Sequence, residues 1–361
     1  MYIKKISIEN VRSLKSITWE IEETECPGWH VILGDNGSGK STFLKSISLV
    51  LIFNQFDALR QNRKEWLNKD SDSGYISLEL VRDEEHDSFS GKEKTYQKKL
   101  LPAKVCLTRV KNDIIITKGK QSEDPYIWRQ SVKGWFSTAY SPFRRFSGGN
   151  KDYQKLFDSH SRLAAHLSIF DEDVNLNESI KWLKDLQFKK LESPSQNNLI
   201  DTIIAFINTS DLLPHYTKIN KISSEGIEFI DGNNCTLLIE ELSDGYRSLL
   251  SMIFELIRQL IQVYDIHQVF GDNNFKIIAP GVVLIDEIDV HLHSTWQKKI
   301  GNWFCQYFPN IQFIVSTHSP IICQAATKGT VYRLPKPGSN DSDQMITKQN
   351  RKGIMNNVKF Q

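Results

Sequence analysis

The chain has 361 residues, of which 40% are hydrophobic and 24% charged, with 45 basic and 43 acidic side chains and a formal net charge of +2. This composition is typical of a folded globular protein and excludes a disordered chain, and the length fits one large domain or two modest ones. The five cysteines lie far apart and form no Cys-x-x-Cys pair, which excludes a disulfide scaffold or a zinc knuckle and favours a reducing cytoplasm.

Alternating apolar residues at the N-terminus predict two β-strands, and a short apolar strand that runs into Gly34 follows them. A polar, β-rich region and then a more helical region occupy the middle of the chain. No apolar run is long enough to span a bilayer, and the layout of a signal peptide is missing, so we expect no membrane partner. The elements predicted here are strands at 3–11, 14–21, 29–33, 75–81, 105–110 and 114–118, a helix at about 40–53, and helical segments between about 151 and 209.

Apolar strands alternate with helices from about residue 235 onwards, which predicts a parallel α/β sheet. The predicted elements are strands at 235–239, 282–285, 311–315 and 330–334 and helices at about 244–262, 294–307 and 320–326. Residues 336–361 are polar and basic, and we expect them to form a flexible tail.

The segment that joins the strand at 29–33 to the next helix matches the P-loop pattern G-x-x-x-x-G-K-[ST] in full. In such a loop successive backbone N–H groups point at a phosphate, the lysine adds positive charge at the β- and γ-phosphates, and the next hydroxyl ligates Mg²⁺. We therefore predict a nucleotide site in which Lys40 is catalytic and Ser41 is a metal ligand. The residues predicted to bind the nucleotide are Gly34, Asp35, Asn36, Gly37, Ser38, Gly39, Lys40, Ser41 and Thr42.

The apolar strand at 282–285 ends in two acids, Asp286 and Glu287. A parallel strand presents its carboxyl end to the ligand crevice, where two carboxylates are costly unless a cation or a reaction uses them. We predict that Asp286 holds Mg²⁺ and that Glu287 orients and deprotonates the attacking water. Surface acids at the end of a strand are the alternative, which the P-loop in the same chain disfavours.

Two further positions fit a phosphate site. Ser243 and Gly245 begin the predicted helix at 244–262, where the serine is at the N-cap position and the glycine exposes a backbone N–H, so this helix N-terminus is shaped for an anion. An ordinary N-cap is the alternative. His318 lies just past the carboxyl end of the apolar strand at 311–315, and a structural histidine is the alternative there.

Together these motifs resemble those of ABC-type ATPases, in the SMC/RecF-like branch of bacterial AAA ATPases. The pattern Asp-Glu-x-x-x-His-Leu-His at 286–293 is similar to that of the ATPases of Septu-type and retron-linked antiphage systems. The resemblance implies an α/β ATPase head with a mixed or parallel core sheet, an N-terminal antiparallel β layer and a helical lobe that carries the signature motif. We expect residues 1–335 to form this head, divided into lobe I at about 1–140 and 275–335 and a helical or insert lobe at about 141–274.

The resemblance also implies roles for the remaining residues. In the family, the signature serine and glycine contact the γ-phosphate of ATP bound by the other subunit, and the histidine contacts the γ-phosphate and the attacking water. It therefore implies ATP and Mg²⁺ as cofactors, a homodimer or higher oligomer in which Ser243 and Gly245 serve the partner, and a catalytic His318. Two residues depart from the transporter pattern: Tyr246 replaces a glutamine, and His293 replaces the aspartate of the D-loop.

Several residues have more than one interpretation. Arg12, in the turn of the first hairpin, resembles a position near the nucleotide in SMC-like heads, and an ordinary surface turn is the alternative. Arg144 and Arg145 lie between aromatic residues and fit the nucleotide interface, a DNA backbone, or a packed turn with solvated arginines. His291 and His293 form a His-x-His pair, but no third metal ligand is evident. No glutamine is assigned to the Q-loop.

The function that we expect is that of a cytoplasmic ATPase that dimerises around ATP and regulates a separate effector, a nuclease or toxin, in antiphage defence. The interval between Lys40 and Ser243 has no sustained heptad pattern, so the long coiled coil of SMC proteins is not expected. Too few residues follow the last predicted strand for a fused nuclease. A RecF- or SMC-like repair ATPase acting on DNA or RNA is the alternative, and a transporter subunit is disfavoured by the departures at Tyr246 and His293.

Overall fold

The structure is a computed structural model of the chain. It describes residues 1–59, 61–89, 100–120, 128, 132–142, 161–170, 177–193, 199–271, 275–290, 292–324, 328–339 and 344–346. The predictions made for Arg144, Arg145, His291 and most of the tail at 336–361 fall outside these residues.

The described residues form β-strands and α-helices, which we number separately in chain order. The strands are β1 (Tyr2–Val11), β2 (Leu14–Glu20), β3 (Gly28–Leu33), β4 (Ser73–Val81), β5 (Ser88–Phe89), β6 (Leu100–Val110), β7 (Asp113–Lys118), β8 (Val132–Lys133), β9 (Ser137–Tyr140), β10 (Lys218–Ile222), β11 (Ile227–Ile230), β12 (Thr236–Leu238), β13 (Gly281–Ile285), β14 (Ile311–Thr317), β15 (Val331–Arg333) and β16 (Gln344–Ile346). The helices are α1 (Lys40–Leu51), α2 (Ser161–Phe170), α3 (Asn177–Glu192), α4 (Leu199–Thr209), α5 (Asp244–Val263), α6 (Ile266–Phe270), α7 (Ser294–Gln297), α8 (Ile300–Tyr307) and α9 (Pro320–Gln324).

A six-stranded sheet lies at the centre of the fold, in the order β16–β15–β3–β14–β13–β9. Neighbouring strands from β15 to β9 are parallel, and β16 pairs antiparallel with β15. Every residue of β3, β13 and β14 is buried, as expected for central strands that are covered on both faces. The register places Leu33 beside Thr317 and Ile285 beside Val315, so the carboxyl ends of these three strands meet at one edge.

A five-stranded antiparallel sheet, in the order β2–β1–β4–β6–β7, covers one side of the central sheet. Burial alternates along β4 and β6, because successive side chains of a strand point to opposite faces. The buried side chains of β4, among them Ile76 and Leu78, belong to the same core as Phe43 and Ile47 of α1. The P-loop helix is therefore enclosed between the two sheets, and the predicted N-terminal β layer is confirmed.

The opposite face of the central sheet packs against helices. Val283 and Phe313 face this side together with Trp29, whose ring stacks on that of Phe304 in α8 at 5.6 Å. Helix α5 contributes Leu249, among others, to the same core, to which α3, α4 and the antiparallel sheet β10–β11–β12 also contribute. This layer carries α5 and with it the signature residues, which confirms the predicted helical part of the head.

The structure differs from the sequence predictions in four places. Helix α2 packs on β9 and contributes to the core around α1, although we assigned residues 141–274 to the helical lobe; the exact division into lobes stays a prediction. The predicted helix at 294–307 is interrupted between α7 and α8. Strands β5, β8, β9, β10 and β11 were not predicted, because each is short and none has a continuous apolar run like that at 282–285. Strand β16, within the predicted flexible tail, pairs with the edge strand β15, which offers unpaired backbone groups.

Among the described residues, no single helix is long and apolar enough to cross a membrane, and one bent pair, Lys40–Leu51 with Phe53–Leu59, meets the criterion by length and composition. The first helix of that pair is the largely buried α1. All five cysteines are free thiols in the structure.

Candidate nucleotide site

The P-loop connects β3 to α1, and its shape explains why glycine is needed. Gly37 and Gly39 have φ angles of 77° and 97°, in the left-handed region that glycine adopts without a steric penalty. A Cβ atom on Gly39 would lie 2.5 Å from Cδ2 of Leu14, and one on Gly34 would lie 2.4 Å from the Ser38 hydroxyl. The loop is therefore curled tightly and lies against the turn between β1 and β2.

The side chain of Lys40, the first residue of α1, folds back over this loop and is 5% exposed. Its Nζ donates to the main-chain oxygens of Gly34 and Asp35, both at 3.0 Å. Burial lowers the pKa of Lys40, and the nearby carboxylates of Glu287 and Asp286 act in the opposite direction. The ammonium group thus lies between the P-loop carbonyls and the acids at the end of β13.

The start of α1 offers donors for a phosphate and oxygen ligands for a metal. The first backbone N–H groups of a helix have no partner within it, and Gly39 at the N-cap position has no side chain to cap them. The Ser38 hydroxyl is buried and has no hydrogen-bond partner among the described residues. The hydroxyl of Ser41 and the carboxylate of Asp286 are the hard oxygen ligands that Mg²⁺ prefers, so the residues present fit a bound Mg²⁺–nucleotide.

The acid pair follows β13 at the edge of the sheet where the P-loop also lies. Asp286 is 2% exposed, and its Oδ1 accepts a hydrogen bond of 2.5 Å from the hydroxyl of Ser316 on β14. The same hydroxyl oxygen accepts the backbone N–H of Glu287 at 2.8 Å. Glu287 has a φ of 45°, which is uncommon for a residue other than glycine. The main chain therefore turns sharply between the buried metal-ligand candidate and the half-buried candidate base.

His318 joins the two motifs. Its Nδ1 lies 3.2 Å from Nζ of Lys40, and its Nε2 lies 3.4 Å from Oε1 of Glu287. Because an ammonium group can only donate a hydrogen bond, Nδ1 is the acceptor and the neutral ring carries its proton on Nε2, toward the carboxylate. Lys40, Glu287 and His318, predicted from three separate segments, are thus brought into one chain of contacts.

Arg12 lies in the turn next to the P-loop but makes its contacts with another segment. Its φ is 50°, its guanidinium carbon lies 4.8 Å from the centre of the Trp66 ring, and its backbone N–H donates to the Trp66 carbonyl. Burial lowers the pKa of Arg12, and its Nε is buried without a hydrogen-bond partner among the described residues. Arg12 precedes Ser13 and Leu14, which face Gly39 of the P-loop, and a role of Arg12 in nucleotide binding stays a prediction.

The signature residues occupy the N-terminus of α5, as predicted. Ser243 is exposed at the N-cap position, and its side chain makes no capping hydrogen bond. Gly245 lines a small cavity with residues of α5 and with Ile288, Val290 and Leu292, which follow the acid pair in the chain. Nearby, Nε1 of Trp296 donates to the hydroxyl of Tyr246 at 2.6 Å. The signature helix is therefore packed against the segment that continues from Glu287.

His293 has a local structural role. It is the N-cap residue of α7, where its Nδ1 accepts the backbone N–H of Thr295 at 3.3 Å. In the part of the chain that the structure describes, no group of three or more His, Cys, Asp or Glu side chains is placed to hold a metal ion.

Three residues of the site were not predicted from the sequence. Ser316 bonds to both acids, Thr317 donates to Oδ1 of Asp289 at 2.5 Å, and Nζ of Lys336 lies 3.7 Å from Oδ2 of Asp35. Serine and threonine at the end of an otherwise apolar strand were a signal for the first two. Lys336 gave no such signal, because its proximity to the P-loop arises only from the pairing of β15 with β3.

The arrangement as a whole defines a class of protein. A P-loop helix enclosed between an antiparallel and a parallel sheet, with an acid pair and a histidine just past the ends of two neighbouring strands, is the arrangement of a P-loop ATPase head of the SMC/RecF type. The chain belongs to the family described as "AAA domain, putative AbiEii toxin, Type IV TA system", whose model matches residues 30–324.

Relatives and solved structures agree with this class. The chain is similar to the Septu protein PtuA of Bacillus mycoides (strain KBAB4), with 27% identity over 334 residues, which are 91% of this chain but 40% of that protein. It is also similar to "Retron Vc95 probable ATPase" of Vibrio cholerae serotype O1 biovar El Tor, with 23% identity over 94% of this chain and 76% of that protein. The chain thus spans less than half the length of the Septu relative.

A crystal structure of an SMC head bound to the C-terminal winged-helix domain of ScpA has the same fold. It matches with a TM-score of 0.55 and 17% identity, over 97% of this chain and 99% of that one. The fold class and the resemblance predicted from the motifs are therefore confirmed.

Proposed function

We propose that this chain binds ATP with Mg²⁺ at the P-loop and hydrolyses it, with Glu287 as the general base. The observation that carries the proposal is the chain of contacts from Lys40 through His318 to Glu287 at the carboxyl edge of the central sheet. A lysine held over a phosphate loop and a carboxylate within reach of the same imidazole are the groups that phosphoryl transfer to water requires. Membership of a P-loop family supports the same function.

Each residue has a separate task in the proposed reaction. The P-loop N–H groups and Lys40 bind the β- and γ-phosphates, and Ser41 and Asp286 are the residues that hold Mg²⁺. The metal neutralises charge on the phosphate oxygens when it is bound. Glu287 accepts the proton of the attacking water, and His318 orients the Glu287 carboxylate through Nε2.

The Glu287→Gln and Lys40→Ala variants test this function together. Glu287→Gln keeps the size and hydrogen-bonding capacity of the side chain but cannot take a proton, so we expect turnover to fall by about 10²- to 10⁴-fold while binding of a fluorescent ATP analogue is retained. Lys40→Ala should lose binding itself. Wild-type turnover in purified Glu287→Gln protein would show that Glu287 is not the base.

We further propose that two copies close around two ATP molecules and that Ser243 and Gly245 of each copy contact the γ-phosphate of the other. The exposed, uncapped N-terminus of a long helix supports this, because its N–H groups and the Ser243 hydroxyl are available to an anion from outside the chain. Light scattering of Glu287→Gln with ATP should show a dimer or higher oligomer, and Ser243→Arg should abolish it. A monomer with ATP bound would contradict this part of the proposal.

The biological role that we propose is control of a separate effector, a nuclease or toxin, in antiphage defence. The similarity to a Septu protein and to a retron ATPase supports it. The test is to express the chain with the genes beside it and to measure phage plaques and co-purification, with Lys40→Ala as the inactive control. Turnover that is stimulated strongly by DNA alone, with no partner protein, would favour a repair ATPase instead.

A further inference from the structure

Ser316 belongs to the site and is unusual because it is a polar residue buried in a central strand. It lies at the carboxyl end of β14, is 0% exposed, and follows the apolar residues Phe313, Ile314 and Val315. Because Val315 pairs with Ile285, the next residues on the two strands, Ser316 and Asp286, lie side by side. A hydroxyl at such a buried position is stable only if it is hydrogen-bonded.

Its hydrogen bonds join the two strands at the acid pair. The hydroxyl donates to Oδ1 of Asp286 at 2.5 Å and accepts the N–H of Glu287 at 2.8 Å. The carbonyl oxygen of Ser316 accepts the N–H of Ile288 at 3.1 Å. One residue thus contacts three successive residues of the turn after β13.

The backbone of Glu287 explains why such support is needed. A φ of 45° is disfavoured for residues with a side chain, and a strained residue keeps such a conformation only where its surroundings hold it in place. Asp286 is held from the other side as well, because its N–H donates to the carbonyl of Tyr140 on β9 at 2.8 Å. The Ser316 hydroxyl is the group that holds the Asp286 carboxylate and the Glu287 main chain relative to each other.

We propose that Ser316 is a positioning residue for ATP hydrolysis, which fixes the metal-ligand carboxylate of Asp286 and the main chain of the general base Glu287 in a single geometry. The proposal rests on the function proposed above. Only a group that donates and accepts at the same time can do this, which a hydroxyl does and a methyl group does not. Ser316 itself does not touch the reacting atoms.

The test compares Ser316→Thr with Ser316→Val. These two side chains have nearly the same shape and differ by a hydroxyl, so both carry the same steric cost in the buried strand. We expect the valine variant to have a kcat about 10- to 100-fold below that of the threonine variant, the size of a lost hydrogen bond to a charged group. The KM for ATP at saturating Mg²⁺ should differ by less than about threefold, because the P-loop is unchanged. In a titration without turnover, the valine variant should need more Mg²⁺ than the threonine variant for half-maximal binding of a fluorescent ATP analogue.

A matched control removes a different buried hydroxyl. Ser168 in α2 donates to the carbonyl of Ala139 at 2.8 Å and takes no part in the site. Ser168→Ala should lower thermal stability without changing kcat or the Mg²⁺ dependence. The Ser316→Ala variant extends the series, and its kcat should match that of the valine variant if the lost hydroxyl is the cause.

The outcomes separate this proposal from the one on which it rests. If the wild type hydrolyses ATP and the threonine and valine variants have equal kcat and equal Mg²⁺ dependence, Ser316 does not position the acids, and the proposed function stands. If the wild type has no more turnover than Glu287→Gln, the proposed function fails and the positioning role fails with it. A KM effect without a kcat effect would also overturn the positioning role.

Discussion

Nε2 of His318 lies 3.4 Å from Oε1 of Glu287, so the candidate general base and the histidine of the neighbouring strand are in contact within a single chain. His318 directly follows β14 and Glu287 lies in the turn after β13, and these two strands are adjacent and parallel. Both side chains are about one third exposed, which leaves the carboxylate accessible to a water molecule from the nucleotide side. The position of one strand relative to the other therefore sets the geometry of the base.

We expect His318→Ala to lower the turnover of ATP by about 10- to 100-fold, because Glu287 and Lys40 each lose a partner. The affinity for ATP should change much less, since the P-loop contacts remain. Steady-state kinetics and nucleotide titration measure the two effects. His318→Gln, which keeps a donor and an acceptor, should be less impaired than His318→Ala; equal loss in both would show that the hydrogen bonds are not what matters.

Gly39→Ala should lower the stability of the protein more than Gly338→Ala does. Both glycines have a positive φ, at 97° and 76°, so an alanine costs about 1 to 2 kcal/mol of backbone strain at either position. A Cβ at Gly39 would in addition lie 2.5 Å from Leu14, whereas nothing lies within 4 Å at Gly338. Thermal unfolding and nucleotide titration should show a larger fall in Tm and a loss of binding for Gly39→Ala alone.

Combining Leu14→Ala with Gly39→Ala tests whether the contact with Leu14 causes the loss of binding. Leu14→Ala removes the side chain that the new Cβ would meet, so the double variant should recover part of the lost nucleotide affinity. No recovery would mean that the backbone conformation, and not the contact with Leu14, is decisive.

The ion pair between Asp35 and Lys336 should tune the affinity for ATP. Asp35 places a negative charge in a loop that we propose binds a polyphosphate, and Lys336 offsets it at 3.7 Å. Because both side chains are more than half exposed, the pair is worth only about 0.2 to 1 kcal/mol. Lys336→Ala should therefore weaken ATP binding about two- to fivefold at low salt.

The reverse change and the double variant test the same pair. Asp35→Asn should strengthen binding, and Lys336→Ala should weaken binding less in the Asp35→Asn background than in the wild type, because no carboxylate is then left for Lys336 to offset. Both single effects should shrink in 0.5 M salt, because exposed charges are screened. An equal effect of Lys336→Ala in the two backgrounds would show that the two charges act independently.

The fold should lose stability below neutral pH because of one buried histidine. His166 lies between the hydroxyls of Ser48 and Ser137, at 2.8 and 3.0 Å, and burial lowers its pKa from 6.5 to about 3. In the unfolded chain the ring takes up a proton below pH 6.5, whereas in the folded protein it stays neutral down to about pH 3. The stabilising effect is thus complete above pH 6.5 and is lost progressively as the pH falls, by about 1.4 kcal/mol per pH unit.

Urea unfolding between pH 8 and pH 5.5 measures this loss. His166→Gln should be less stable than the wild type at pH 8, because the packing changes, but its free energy of unfolding should vary less with pH. An equally steep pH dependence in the variant would assign the effect to other groups.

Much of the site could be predicted because local sequence carries its chemistry. The P-loop needs glycines at positive φ, a lysine at the first helical position and a hydroxyl after it, all within a few residues. Asp286, Glu287 and His318 could be predicted because a parallel sheet presents the carboxyl ends of its strands at one edge. The antiparallel layer could be predicted from the alternation in β1 and β2, because one face of each strand is buried.

Other parts could not be predicted, for different physical reasons. The packing of α2 on β9 is a contact between segments that share no local pattern, and β9 itself is short and buried throughout. The proximity of Lys336 to Asp35 requires β15 to lie beside β3. Ser316 could be recognised as unusual within its strand, but the two atoms that it bonds lie on another strand.

The sequence by itself determined the class of this protein and indicated the residues that we propose as its reactive groups, since a phosphate loop and an acid pair are defined by short runs of residues with strict chemical demands. Only the tertiary structure decided how these groups contact one another: the order β3–β14–β13 places His318 between Lys40 and Glu287 and Ser316 beside Asp286. The physical reason is that strand order and register arise from the burial of whole faces of the sheet. No single motif encodes that burial.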